Sequence, residues 1–147
     1  MTAIQHPSVP VTDAAQLAER WQHLLGTEGP PSRRSLVLSW LRPDGTSAPL
    51  LVPIDDVPTE PDRALLAHLV DLTAAVAEAE HLSPADLHLA LYLERPGPAS
   101  PLPEDHAWAA AADTVLRGRE GVDCSLHVGD GLTATALLPR RSWPTTR

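Results

Sequence analysis

The residues of this chain best equipped for chemistry are seven histidines, one cysteine and several groups of acids. The histidines (His6, His23, His68, His81, His88, His106 and His127) include no pair at i,i+2 or i,i+4, the spacings that set two imidazoles on one metal from a strand or a helix. They read as surface or partly packed side chains. Asp105 and His106 are neighbours and diverge on a helix. His127 and Asp130 flank a turn and could converge. Cys124 stands three positions before His127, and residues three apart on a strand face opposite sides. The two therefore do not make a nucleophile–base pair, and Cys124 reads as a buried, inert thiol. Asp55, Asp56, Glu60 and Asp62 form an acidic run, but a cation needs more oxygen ligands in a defined geometry, so the run reads as a solvated loop and helix start. The remaining constellation is Glu94, Arg95 and Asp105, where a strand ends at a proline-rich loop. Strand ends are common ligand positions in α/β sheets. Two readings stay open there: an ion pair that pins the loop, or a small pocket in which Arg95 holds an anionic group.

Composition narrows the classes. The chain has 147 residues, the size of one domain, and 43% of them are hydrophobic. A single cysteine cannot form an internal disulfide. The opening residues lack the basic and apolar regions of a signal peptide, and no apolar run is long enough to span a bilayer. These features lead to the expectation of a cytoplasmic protein. The net charge of −8, from 19 acids against 11 bases, disfavours nucleic acid and anionic membrane surfaces, which need a basic footprint. Every base is arginine. Alanine, leucine and proline abound, as codon bias in a GC-rich genome would produce, and the missing lysine excludes Schiff-base chemistry and a Walker-type phosphate loop.

The elements that must position these residues follow from periodicity and turn chemistry. Residues 1–11 read as a flexible arm, 12–138 as one domain, and 139–147 as a flexible tail. Thr12 or Asp13 caps a first helix with Leu17, Trp21, Leu24 and Leu25 on one face, ended at Gly26. Residues 35–41 and 48–54 form a hairpin around Asp44-Gly45, and Pro49 and Pro53 make its second strand short or an edge. A second helix starts from a capping box at Thr59 and runs to about Glu80, with Leu65, Leu69, Leu72 and Val76 buried. Residues 86–94 alternate so that Leu87, Leu89, Leu91 and Leu93 share one face and His88, Ala90, Tyr92 and Glu94 the other; this is a central strand covered on both sides. A third helix carries Trp108, Ala112, Val115 and Arg119 on one face, and residues 122–128 and 132–138 form a closing hairpin around Gly129-Asp130-Gly131. Trp40 and Trp108 belong to the core, while Trp143 sits in the tail beside Arg140 and Arg141. The fold class is α/β: a mixed sheet with helices on both sides, in the order α-ββ-α-β-α-ββ.

From Ser35 to Leu138 this order resembles the JAB domain in its bacterial RadC-like form. The stretch Arg95-Pro-Gly-Pro-Ala-Ser-Pro-Leu-Pro-Glu-Asp105 is similar to that family's loop, in which a histidine pair is followed by proline, small residues, more prolines and an aspartate. Gly121-Val122, His127 and Gly129-Asp130-Gly131 resemble its closing hairpin, although the family's hairpin is longer between its glycine and its turn. In active members two histidines separated by one residue, with an aspartate beyond the loop, hold a zinc. A catalytic zinc needs about three protein ligands and an open position for water. Here the resemblance puts Leu93 and Arg95 where the histidines would stand, and the aspartate position falls on Asp105 or His106. Leucine cannot ligate and arginine repels a cation. The resemblance thus implies a degenerate site with no metal, no cofactor and no catalytic residue. It implies a non-catalytic domain that acts through protein partners or self-association, for instance a homodimer in which the hairpin's edge strand is one contact surface. The alternatives are a metal-dependent hydrolase using other ligands, and a small-anion-binding protein with its pocket at Glu94, Arg95 and Asp105.

Overall fold

In a computed structural model the described residues are 10–25, 31–130 and 133–140, with 23–25 described by their backbone only. The elements run α1 (Ala14–Leu25), β1 (Ser35–Leu41), β2 (Ser47–Asp55), α2 (Arg63–Ala79), β3 (His88–Glu94), α3 (Pro103–Ala112), β4 (Cys124–Gly129) and β5 (Ala134–Leu138). The five strands form one mixed sheet in the order β2-β1-β3-β4-β5. All neighbours are antiparallel except β3 and β4, which run parallel and need the α3 crossover between them. No helix among the described residues is long and apolar enough to cross a membrane.

β3 lies at the centre of the sheet, and its alternation works as the leucines require. Leu87, Leu89, Leu91 and Leu93 pack with Leu36, Leu38, Trp40, Leu126 and Val128 under α2 and α3. Ala90 and Tyr92 pack on the opposite face with Val37, Leu41 and the α1 residues Leu17 and Trp21. Helices therefore cover both faces. β2 is an edge, as its prolines dictate, but at nine residues it is not short. Its turn is set by Gly45 at φ +89, where an added Cβ would stand 2.6 Å from the Val11 carbonyl oxygen. Val11 is itself buried and donates its amide to the Gly45 carbonyl, so close packing already reaches back to this residue.

Four local expectations shift. Asp62, not Thr59, caps α2, its carboxylate accepting from the Leu65 amide at 3.0 Å. Pro61 disfavours a helical Glu60 before it, so the helix starts later. The fully buried stripe of α2 is Leu66, Leu69, Thr73, Val76 and Ala77, while Leu65 and Leu72 are only partly buried. The stripe turns toward Thr73 because its hydroxyl accepts the Trp40 indole N–H at 3.0 Å. Beyond α3, residues Asp113–Arg119 continue as a π-helical turn. The wider turn brings Val115 and Leu116 into the core and leaves Arg119 exposed. The closing strands begin later than their apolar runs, at Cys124 and Ala134. Gly131, Leu132, Trp143 and most of the arm and tail lie outside the described residues.

Candidate functional site

Arg95 follows the last residue of β3, and its amide donates to the Gly129 carbonyl, so its side chain keeps the strand's alternation and leaves on the side of α3. It is fully buried. Its Nε and Nη2 donate to both oxygens of Asp105, the closest contact being 2.6 Å. Its Nη1 donates to the Pro98 carbonyl and its Nη2 to the Ser100 carbonyl. Asp105, on the first turn of α3, also accepts the Leu102 amide at 2.7 Å. Burial alone would push the Asp105 carboxyl up. The Arg95 and Leu102 hydrogen bonds, with the charges of Arg95 and Arg34, outweigh it and hold the group below the usual carboxylate range. Arg34 adds a looser contact, 3.8 Å from Asp105 and 3.8 Å from Glu104. A buried guanidinium thus gathers the loop and the start of α3 around itself, which is the ion-pair arrangement. Arg95 and Asp105 meet; Glu94, one residue earlier, belongs to the opposite face of the sheet. His106 is exposed.

A second constellation was not visible in the sequence. His88 opens β3, and its Nδ1 lies 2.8 Å from Asp123 Oδ2 while its Nε2 lies 2.8 Å from Ser125 Oγ. Parallel pairing of β3 with β4, Ala90 opposite Ser125, brings together side chains 37 positions apart. Burial holds His88 below its ordinary range against the pull of Asp123. Burial raises Asp123, but its hydrogen bond from His88 and the charges of His88 and Arg140 bring it below its ordinary value. Both directions favour a neutral imidazole beside a carboxylate. Those partners assign the proton to Nδ1 and leave Nε2 to accept from the serine.

Serine, histidine and aspartate in this order are the groups of a nucleophilic relay. Its surroundings point elsewhere. Ser125 is 1% exposed and His88 0%. The group sits at the amino ends of the parallel strands, whereas α/β sheets place ligands at the carboxyl ends. Asp123 also accepts from Arg140 Nε at 3.1 Å, and Arg117 donates to the carbonyls of Cys124 and Pro139. The relay and the two arginines join the start of β4 to the chain leaving β5.

Cys124 lies in the core under α2 and α3, where burial pushes its thiol up to about 12. His127 is buried on the other face, so the two indeed point apart. Asp130 accepts the Thr133 amide at 3.0 Å in the closing turn. In the acidic run, Asp55 accepts from Ser35 at 2.9 Å and Asp62 serves as the α2 cap. Among the described residues no three His, Cys, Asp or Glu side chains gather as a metal site would require. No protein-family model, curated protein or solved structure matches the chain.

Proposed function

We propose that this chain is a non-catalytic α/β domain of RadC-like JAB type that works through protein contacts, including self-association. One observation carries the reading. Where the family resemblance calls for a zinc between the end of β3 and the aspartate beyond the loop, the Arg95 guanidinium bonds to Asp105 and to the loop carbonyls. A fixed organic cation does there the organising work that a metal would do: it draws in the acid and folds the loop. Leu93, at the other ligand position, is buried in the apolar core. With Nε, Nη1 and Nη2 all donating internally, Arg95 has little left to offer an anion.

The contact surface that best fits the reading is β2. It is an edge strand, and among the described residues Leu50 and Leu51 on it are the exposed large hydrophobics. Pro49 and Pro53 cannot donate to an added strand, so side-chain packing rather than ladder extension would make the contact. Size-exclusion chromatography with light scattering tests this. A dimer at micromolar concentrations that a Leu50→Asp, Leu51→Asp double variant turns into a monomer is the expected result. A monomer at every concentration overturns self-association.

A further inference from the structure

The layer beneath α1 differs in kind from the one beneath α2 and α3. The latter is apolar except for Thr73 and the Arg95–Asp105 pair at its rim. Under and around α1 lie Arg20, Ser47, His88, Ser125 and His127, all buried. Arg20 donates to Ser47, and His88 has Asp123 and Ser125. His127 stands apart: it is 1% exposed, and neither ring nitrogen has a hydrogen-bond partner among the described residues. The Ala14 backbone, at the start of α1, bears on the ring and favours its charge without reaching hydrogen-bond geometry. Across β3 the ring is opposite Tyr92, which stacks on Trp21 of α1 with centroids 5.2 Å apart. Native interiors seldom leave a buried polar group unbonded, and one placed under a short helix calls for a reason.

We propose that α1 is an acid-released cover: protonation of His127 drives the helix from the sheet and bares the face formed by Val37, Leu41, Ala90 and Tyr92. While the helix is docked, the ring is buried and, among the described residues, has no counter-ion. The groups facing this layer do not supply one. His88, held neutral by burial, offers no negative charge, and Arg20 of α1 carries the same sign as a protonated ring. Asp123 is committed to His88 and Arg140. Glu94 lies on this same face, its backbone one rung beyond His127, and its charge does not bear on the ring. Tyr92 is neutral. Once the helix leaves, the ring is hydrated. Among the described contacts the helix is held mainly by Leu17, Trp21 and the Arg20–Ser47 bond, so its local opening requires far less than unfolding the sheet.

The shift is large enough to matter in mild acid. Burial lowers His127 to about 4, whereas a solvated imidazole titrates near 6.5. Between these values only the open form binds the proton. Linkage then raises the open population about twentyfold between about pH 7 and pH 5.

Hydrogen–deuterium exchange at those two pH values, corrected for intrinsic rates, tests the proposal on the intact chain. The protection of α1 amides should fall about twentyfold while that of α2 holds, and His127→Asn should abolish the fall. Unchanged α1 protection in the native chain, or a fall that persists in His127→Asn, overturns it. If the variant does not fold, an NMR titration of the His127 ring decides. A midpoint near the solvated value overturns the proposal; a depressed midpoint that coincides with α1 release supports it.

Discussion

At the residue scale the structure turns on three buried polar groups. Arg95 is the first. Replacing it with alanine strands the Asp105 carboxylate in the interior, and breaking such a pair is expected to lower stability by about 3–5 kcal/mol in urea denaturation. Replacing both partners with leucine should lose less, since no charge is then stranded. Because Asp105 is held below its unfolded value, its contribution is present above the unfolded pKa and is lost as pH falls through the folded one. His127 has the same slope for a different reason. It binds its proton less readily folded than unfolded, so stability should drop by about 3 kcal/mol between pH 6.5 and pH 4, and His127→Leu should flatten that part of the curve. Ser125 is the third. Sealed in at the amino ends of β3 and β4, it should remain unlabelled by a fluorophosphonate, and stoichiometric labelling at Ser125 would contradict a structural role. Arg95 and Asp105 were readable in sequence because a rigid proline-rich loop joins them. His88 and Ser125 were not, because parallel strand register, which no local pattern encodes, makes them neighbours.

At the element scale, what the sequence revealed depended on whether a signal was local. The leucine alternation of β3, the Asp-Gly turn of the first hairpin and the prolines of β2 each act within a few residues, and each has its expected consequence. Gly45 shows how tightly such a turn is tied to its surroundings. Gly45→Ala would force a Cβ against the Val11 carbonyl at positive φ, and it should lower the midpoint of thermal unfolding by several degrees. The α2 stripe escaped the apolar rule because its buried face includes Thr73, whose reason for being there is an indole on another element. On α3, Trp108, Ala112 and Val115 are buried as expected, and only Arg119 departs, because a π turn changes the helical period partway along. In both cases tertiary contacts overrode a periodicity that was locally correct.

At the scale of the whole molecule, a five-stranded sheet with helices on both faces has two unlike sides. One is an apolar core closed at its rim by Arg95 and Asp105. The other is a mixed layer closed by α1, an apolar cluster with buried polar groups around it. The proposed function, a RadC-like domain acting through contact surfaces, rests on the first, where Arg95 organises the loop. The most direct test is the zinc content of native protein purified without chelator and then dialysed against zinc. Zinc is expected far below one equivalent per chain, before and after dialysis, and Asp105→Ala should make no difference to it. One equivalent of zinc retained per chain, and lost in Asp105→Ala, would contradict the proposed function.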